Sequence, residues 1–283
     1  MTLDAFVVCN CYKEGKTTPF PLPELVKYLN WNEDGYLRFD LPIENSKEAH
    51  EIYRKWEQKA CKHEYMYYAR ECISNWAGYR LFQQALAQIG WEHLPTLRAE
   101  LPEFNAQGHM LAEASAQMLV ELASLKAREN WGTNVFLIDS ETGKKIHSYI
   151  AVYQGVLMAD RHQGVEIGFD PHGFFIREME NEDLPASLPR REFFRAMGLE
   201  QRLLSNDENG YPLVVEYYNP GTGERFDSAT GITSGGVKPP WKCPSLMHVE
   251  ERPIGPNDFA YVIEPLEIVC KASVETGNAV IWS

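Results

Sequence analysis

Cys9 and Cys11 stand two residues apart where an apolar run, Asp4 to Cys11, gives out, and Cys61 and His63 repeat that spacing further along. Three thiolates and one imidazole complete a tetrahedral zinc shell. If one ion takes all four side chains, the opening segment and the segment around residue 62 must meet in space. A shell made of four protein ligands leaves no position for water or substrate, so such an ion would staple the fold and perform no chemistry.

The spacing sets conditions on the backbone. On a strand, residues i and i+2 lie on one face about 6.5–7 Å apart, further than two sulfurs on one zinc can be. Cys11 therefore has to sit where the strand turns away, and Tyr12-Lys13-Glu14-Gly15-Lys16 has the composition of such a turn. Cys61 ends a helical pattern and His63 follows it, so a bent junction would aim both inward. Zinc ligands more often space C-x2-4-C, which makes CxC with CxH an off-pattern set. The alternative is four reduced, packed side chains, since a free cysteine behaves as a small buried hydrophobe. A Cys9–Cys11 disulfide would close too tight a loop.

The 283 residues, 44% hydrophobic, suffice for one large domain or two. No run approaches the eighteen or so apolar residues of a membrane span. Met1-Thr2-Leu3-Asp4 has neither a basic region nor an apolar signal core, and six irregularly spaced cysteines do not read as a secreted disulfide scaffold, so the cytoplasm is the expected location. The formal net charge is −13, split as −4 over residues 1–130 and −9 over 131–283. That balance opposes binding to a phosphate backbone, which needs a basic patch. It is compatible with a basic protein partner steered by long-range charge, and also with charge that serves solubility alone.

Periodicity divides the chain at about residue 130. Residues 1–130 read as mainly helical after the opening strand, with a short strand at Tyr36–Phe39 after the Asp34-Gly35 turn. Helices are predicted from Ser46 to Ala60, from Tyr65 to Ile89 with Gly90 as its stop, and from Ala112 to Arg128. Residues 131–283 read as a mainly antiparallel sheet, with hairpins at Asn134–Val152, Leu213–Phe226 and Leu266–Trp282. Each hairpin turns at Thr-Gly, where glycine supplies a positive φ. Two more strands are predicted within Gly155–Ile176 around Asp170-Pro171-His172-Gly173, one helix over Arg191–Leu204, and an irregular stretch from Asp227 to Asp258. The fold class is α+β.

Few residues carry a chemical signal. His63-Glu64 lacks the second histidine of a metalloprotease helix, because Tyr67 stands in its place. Ser234-Gly235-Gly236 lacks the lysine of a phosphate-binding loop, and there is no Gly-x-Ser-x-Gly elbow. Arg70, Glu71, Arg80 and Asn75 read as a polar patch of surface charges. His147, His162 and His172, with Asp160 and Asp170 nearby, would make a catalytic metal site only if they converged. Cys243 with His248 offers half a site, while Cys72 and Cys270 fall on apolar patterns and read as core.

Val8-Cys9-Asn10-Cys11-Tyr12, Cys61-Lys62-His63-Glu64 and Cys72-Ile73-Ser74-Asn75-Trp76-Ala77-Gly78 together resemble segments of an uncharacterised family of bacterial proteins, over roughly the first ninety residues. The resemblance implies that the Cys and His pairs belong together, and it implies no activity. The functional expectation is a non-catalytic cytoplasmic binding protein, of the immunity or inhibitor kind, held by a structural zinc and docking an acidic face on a basic partner. Glu178, Glu180, Glu182 and Asp183, with Glu250 and Glu251, would supply that face. The competing expectation is a metal-dependent hydrolase built on His147, His162 and His172.

Overall fold

The computed structural model describes residues 2–32, 36–42, 46–103, 108–179, 190–208, 211–234 and 241–283. In chain order the elements are β1 (Thr2–Val8), β2 (Leu29–Trp31), β3 (Leu37–Phe39), α1 (Lys47–Lys59), β4 (Tyr67–Asn75), α2 (Trp76–Ile89), α3 (Pro95–Glu100), β5 (Gly108–Met110) and α4 (Ala112–Ala127). There follow β6 (Gly132–Asp139), β7 (Lys145–Ser148), β8 (Val156–Asp160), β9 (Val165–Asp170), β10 (Gly173–Glu178), β11 (Glu192–Ala196), β12 (Gly198–Asn206), β13 (Pro212–Tyr218), β14 (Arg225–Ser228) and β15 (Leu246–Ile254). The chain closes with α5 (Ala260–Thr276) and β16 (Val280–Trp282). The class is α+β with antiparallel sheets.

Two compact units form, one from Met1–Trp131 with Gly255–Ser283 and the other from Gly132–Ile254. α5 and β16, which fall within the expected second part, 131–283, return to the first unit. Their return moves charge as well. Asp258, Glu264, Glu267 and Glu275 against Lys271 carry −3 with them, so the sheet unit keeps −6 of the −9 counted over 131–283.

The first unit is built on the sheet β4-β1-β16-β5. β1 sits inside it because Leu3, Ala5 and Val7 alternate as fully buried residues while Phe6 and Val8 face the other way. The Phe6 and Val8 face is covered by α1, through Tyr53 and Trp56, and by Leu37 and Phe39 of the β2–β3 ribbon. α5 packs on β4 and β1, with α4 against α5. Where the chain leaves and rejoins this unit, Trp131 stacks on Phe259 at 5.2 Å with Phe82 beside both.

Two predicted elements of this unit change type. The helix expected over Tyr65–Ile89 is the strand β4 followed by the helix α2. β4 pairs with β1 along its length, and the Asn75 side chain ends it by accepting from Gly78 N at 2.8 Å, capping α2. Met66, Ala69 and Ile73 fit a helical stripe as well as a strand, but Tyr67, Tyr68 and Ile73 favour the pleated form. The strand expected at Leu266–Ala272 is part of α5. Its buried Val262, Leu266, Val269, Cys270 and Ser273 keep helical spacing through Pro265. Gly277 (φ 70°), read as a hairpin residue, is the left-handed residue after the helix, donating to Ser273 O at 2.8 Å.

The second unit consists of the sheets β11-β10-β9-β8 and β14-β13-β12-β15-β6-β7. Both contribute to one core of Leu137, Ile167, Phe169, Phe174, Phe194, Tyr217, Met247 and Val249, among others. The helix expected over Arg191–Leu204 is instead β11 and β12, in which Phe194 and Ala196, then Leu199 and Gln201, are buried at a period of two. β15 runs through the stretch expected to be irregular, pairing with β6 and β12. The two Thr-Gly hairpins of this unit share one turn chemistry. Gly143 N donates to Asp139 O and Gly223 N to Asn219 O, each at 2.8 Å, with positive φ at both glycines. The Asp34-Gly35 turn and the Gly235-Gly236 and Pro239-Pro240 pairs lie outside the described residues.

Candidate metal centre

β1 ends at Val8, so the two cysteines of the first pair lie on the chain as it bends away, as the i, i+2 distance required. Cys9 N donates to Met66 O at 2.8 Å, which fixes the first thiol beside the second pair. The turn at Cys11–Gly15 is closed by Glu14 N to Asn10 O at 2.9 Å and by Lys16 N to Cys11 O at 2.8 Å, with Gly15 in the left-handed region at φ 66°. The second pair follows the end of α1. Thr18 N donates to Ala60 O at 2.7 Å, and past His63 the chain turns sharply through Tyr65 (φ 52°) and Met66 (φ 57°). Two adjacent non-glycine residues with positive φ are uncommon, and they lie where the chain must aim Cys61 and His63 at the first pair.

All four donor atoms lie within 4.8 Å of one another. Cys9 Sγ is 3.7 Å from Cys61 Sγ, Cys11 Sγ is 3.5 Å from His63 Nδ1, and Cys61 Sγ is 3.8 Å from His63 Nδ1. With Zn–S near 2.3 Å and Zn–N near 2.0–2.1 Å, a regular tetrahedron has S···S edges of about 3.8 Å and S···N edges of about 3.5–3.6 Å. The first two separations match those edges, the third is about 0.2 Å longer than its edge, and all three are far longer than a disulfide bond. These four residues can therefore hold one metal ion, and no other group of three or more His, Cys, Asp or Glu ligand atoms converges in this way among the described residues.

Cys9 and Cys11 belong to an apolar cluster with Phe20, Tyr53 and Trp56, and burial dominates their titration. It pushes the Cys9 thiol up to about 12 and raises that of Cys11, while burial and the nearby Lys62 charge lower the pKa of His63. The imidazole is thus ready to ligate at neutral pH, whereas the thiols must give up protons to an arriving cation. The His63 backbone N–H donates to Cys61 Sγ at 3.4 Å. A cavity of about 220 Å3, lined by Cys9, Cys11 and His63 together with Glu14, Lys16, Lys62 and Tyr68, gives solvent a route to the ligands.

Asn10 and Asn278 hold the first pair in place, and nothing in the sequence marked them. The Asn278 amide donates to Val8 O at 2.7 Å and Asn10 Oδ1 at 2.9 Å, and accepts from Lys13 Nζ at 2.9 Å. Asn10 Nδ2 returns a bond to Thr276 O at 2.7 Å. These contacts join positions more than 260 residues apart, and no local pattern reveals such a pairing.

The other candidates are dispersed. His162 and His172 occupy turns at opposite ends of β9, about 20 Å apart at the rise of a strand, while His147 lies on β7 of the other sheet. His162 N and His172 N donate to Asp160 and Asp170 in ordinary turn geometry. His248 bonds Ser140 Oγ at 2.7 Å and Glu250 at 3.3 Å. Cys72 was expected in a helical core and is exposed on β4; Cys270 is buried as expected, but on a helix. Of the patch around Arg70, Asn75 is a helix cap and Arg70 stands 3.9 Å from Asp4. Glu250 and Glu251, expected in a loop, lie in β15. Glu250 is held by Arg252 at 2.7 Å and Glu251 by Thr133. Glu178 ends β10, and Glu180, Glu182 and Asp183 lie outside the described residues. No helix among the described residues is long and apolar enough to cross a membrane.

No family model, curated protein or solved structure matches this chain.

Proposed function

We propose that this chain is a non-catalytic binding protein whose first unit is stapled by a structural zinc ion on Cys9, Cys11, Cys61 and His63. The observation that carries the reading is the convergence of all four donor atoms within 4.8 Å of one another, with the Cys9–Cys61 and Cys11–His63 separations at the edges of a zinc tetrahedron. Three thiolates with one imidazole select zinc over magnesium, calcium or manganese, which prefer oxygen. Four protein ligands close the shell, so the ion contributes folding energy and has no position at which to activate water. The dispersal of His147, His162 and His172 favours binding over metal-dependent hydrolysis. Net charge of −13 fits a basic protein partner better than a nucleic acid, and reduced thiols on zinc fit a reducing compartment such as the cytoplasm.

Cobalt substitution tests the closed shell. Co(II) in place of zinc should give the intense visible bands of a tetrahedral site with thiolate-to-metal charge transfer, unchanged by azide or cyanide. A spectrum that shifts on adding either anion would reveal an open position and overturn the non-catalytic assignment.

A further inference from the structure

Two of the sulfurs in the metal centre are placed for a second kind of cross-link. Cys9 Sγ and Cys61 Sγ lie 3.7 Å apart, although the residues are 52 positions apart in the chain. Small rotations of the two side chains bring sulfurs at that separation into bonding contact. The backbone on both sides is pinned, by Cys9 N to Met66 O at 2.8 Å and by Thr18 N to Ala60 O at 2.7 Å. Cys11 Sγ faces His63 Nδ1 at 3.5 Å instead. Of the three ligand cysteines, Cys61 is the one that is only partly buried. The cavity of about 220 Å3 opens onto Cys9 and Cys11, so a small oxidant reaches the cluster without unfolding the unit. The remaining cysteines stand apart from it. Cys72 is exposed on β4, Cys270 is buried against Met118 Sδ, and Cys243 belongs to the second unit. A Cys9–Cys61 disulfide would tie the same two segments that the ion ties, the chain after β1 and the chain after α1.

From this arrangement we infer that the metal centre is a redox switch, in which hydrogen peroxide joins Cys61 to Cys9 as a disulfide and releases the zinc ion. The inference rests on zinc occupying the four residues. The Cys61 thiolate attacks one peroxide oxygen, the O–O bond breaks, and hydroxide leaves a sulfenic acid on Cys61. The Cys9 thiolate then attacks that sulfur and displaces a second hydroxide as the S–S bond forms. Two thiolates have given two electrons to one O–O bond. Cys11 and His63 alone remain as donors, half of a structural zinc shell, and the ion departs. The disulfide keeps the two segments joined, so the unit stays folded in both states. A thiol reductant returns the two electrons and restores the four ligands.

The test treats the reduced, zinc-loaded whole protein with hydrogen peroxide, reads zinc release with a chromogenic chelator, and maps disulfides by peptide mass spectrometry. Peroxide should release the bound zinc and yield one linked peptide pair, Cys9 with Cys61, and a thiol reductant with added zinc should reverse both changes. Cys72→Ser, which removes the exposed cysteine outside the cluster, should release zinc at the wild-type rate. The oxidised, metal-free protein should melt about 4 °C or more above the reduced, metal-free protein, because the cross-link restrains the unfolded chain. Zinc measured before the oxidant is added separates the two readings. Protein that binds no zinc overturns the metal site and the switch together. Protein that binds zinc and keeps it under peroxide, loses it with a Cys11–Cys61 disulfide or none, depends on Cys72, or gains no stability from oxidation overturns the switch alone.

Discussion

Replacing Cys9 by serine removes one ligand from a side chain that is only 1% exposed, and its cost divides into two parts that can be measured separately. The first belongs to the metal. An ion present at a thousand times its dissociation constant stabilises the state that binds it by about 4.1 kcal/mol. Met1–Trp131 and Gly255–Ser283 together make 160 residues, a size at which 1 kcal/mol moves Tm by about 2–4 °C. Chelating the wild-type protein should therefore lower the melting temperature of the first unit by about 8–16 °C. The second part is the burial of a hydroxyl with poor partners, worth about 1–3 kcal/mol. Cys270→Ser calibrates it, since Cys270 is 0% exposed and contacts Met118 Sδ rather than the metal ligands. The assay is a thermal melt of wild type, Cys9→Ser and Cys270→Ser, each with and without a strong chelator. Wild type and Cys270→Ser should both lose stability on chelation, and Cys9→Ser should respond far less. Equal chelator responses in all three proteins, or none in wild type, would refute the reasoning.

Other outcomes follow from the same structure. Asn278→Ala removes the bonds to Val8 O, Asn10 and Lys13, and should weaken metal binding by about 10–100-fold as outer-shell changes do, measured by competition with a chromogenic chelator. Burial lowers the pKa of His147, so in the folded state the neutral ring is favoured. Its contribution should be complete above the unfolded value of about 6.5 and be lost as pH falls through the lower folded value. A pH series of melts on wild type and His147→Gln should show the slope between the unfolded and the folded value flattened in the variant. The β4 amides that bond β1 should exchange slowly although β4 is an edge strand, and rapid exchange at every amide of residues 67–75 would contradict the strand assignment.

Where the sequence was legible, one local signal decided the structure. The Cys and His pairs lie at bends because a straight strand holds i and i+2 too far apart, and this followed from spacing alone. The Thr-Gly turns after Asp139 and Asn219 were readable for a similar reason, since a positive φ four residues past each of these two residues needs glycine. Thr276-Gly277 carries the same dipeptide and means something else, because a helix C-terminus also ends on a left-handed glycine. Residues 65–89 misled because a strand and a helix joined end to end satisfy one helical stripe, with Asn75 alone marking the joint. Pro265 and the aromatic Phe193-Phe194 misled in opposite directions, one hiding a helix and the other lying in strands read as a helix. The contacts of Asn10 with Asn278 depend on which strands become neighbours, and topology of that kind leaves no periodic trace.

Zinc K-edge X-ray absorption on protein purified without added metal reads directly whether one zinc ion sits on three sulfurs and one nitrogen. The expected result is one zinc per chain, with three sulfurs near 2.3 Å, one nitrogen near 2.0–2.1 Å and no further light atom bound to the metal. Protein without zinc, or a first shell that includes a water oxygen or fewer than three sulfurs, would contradict it.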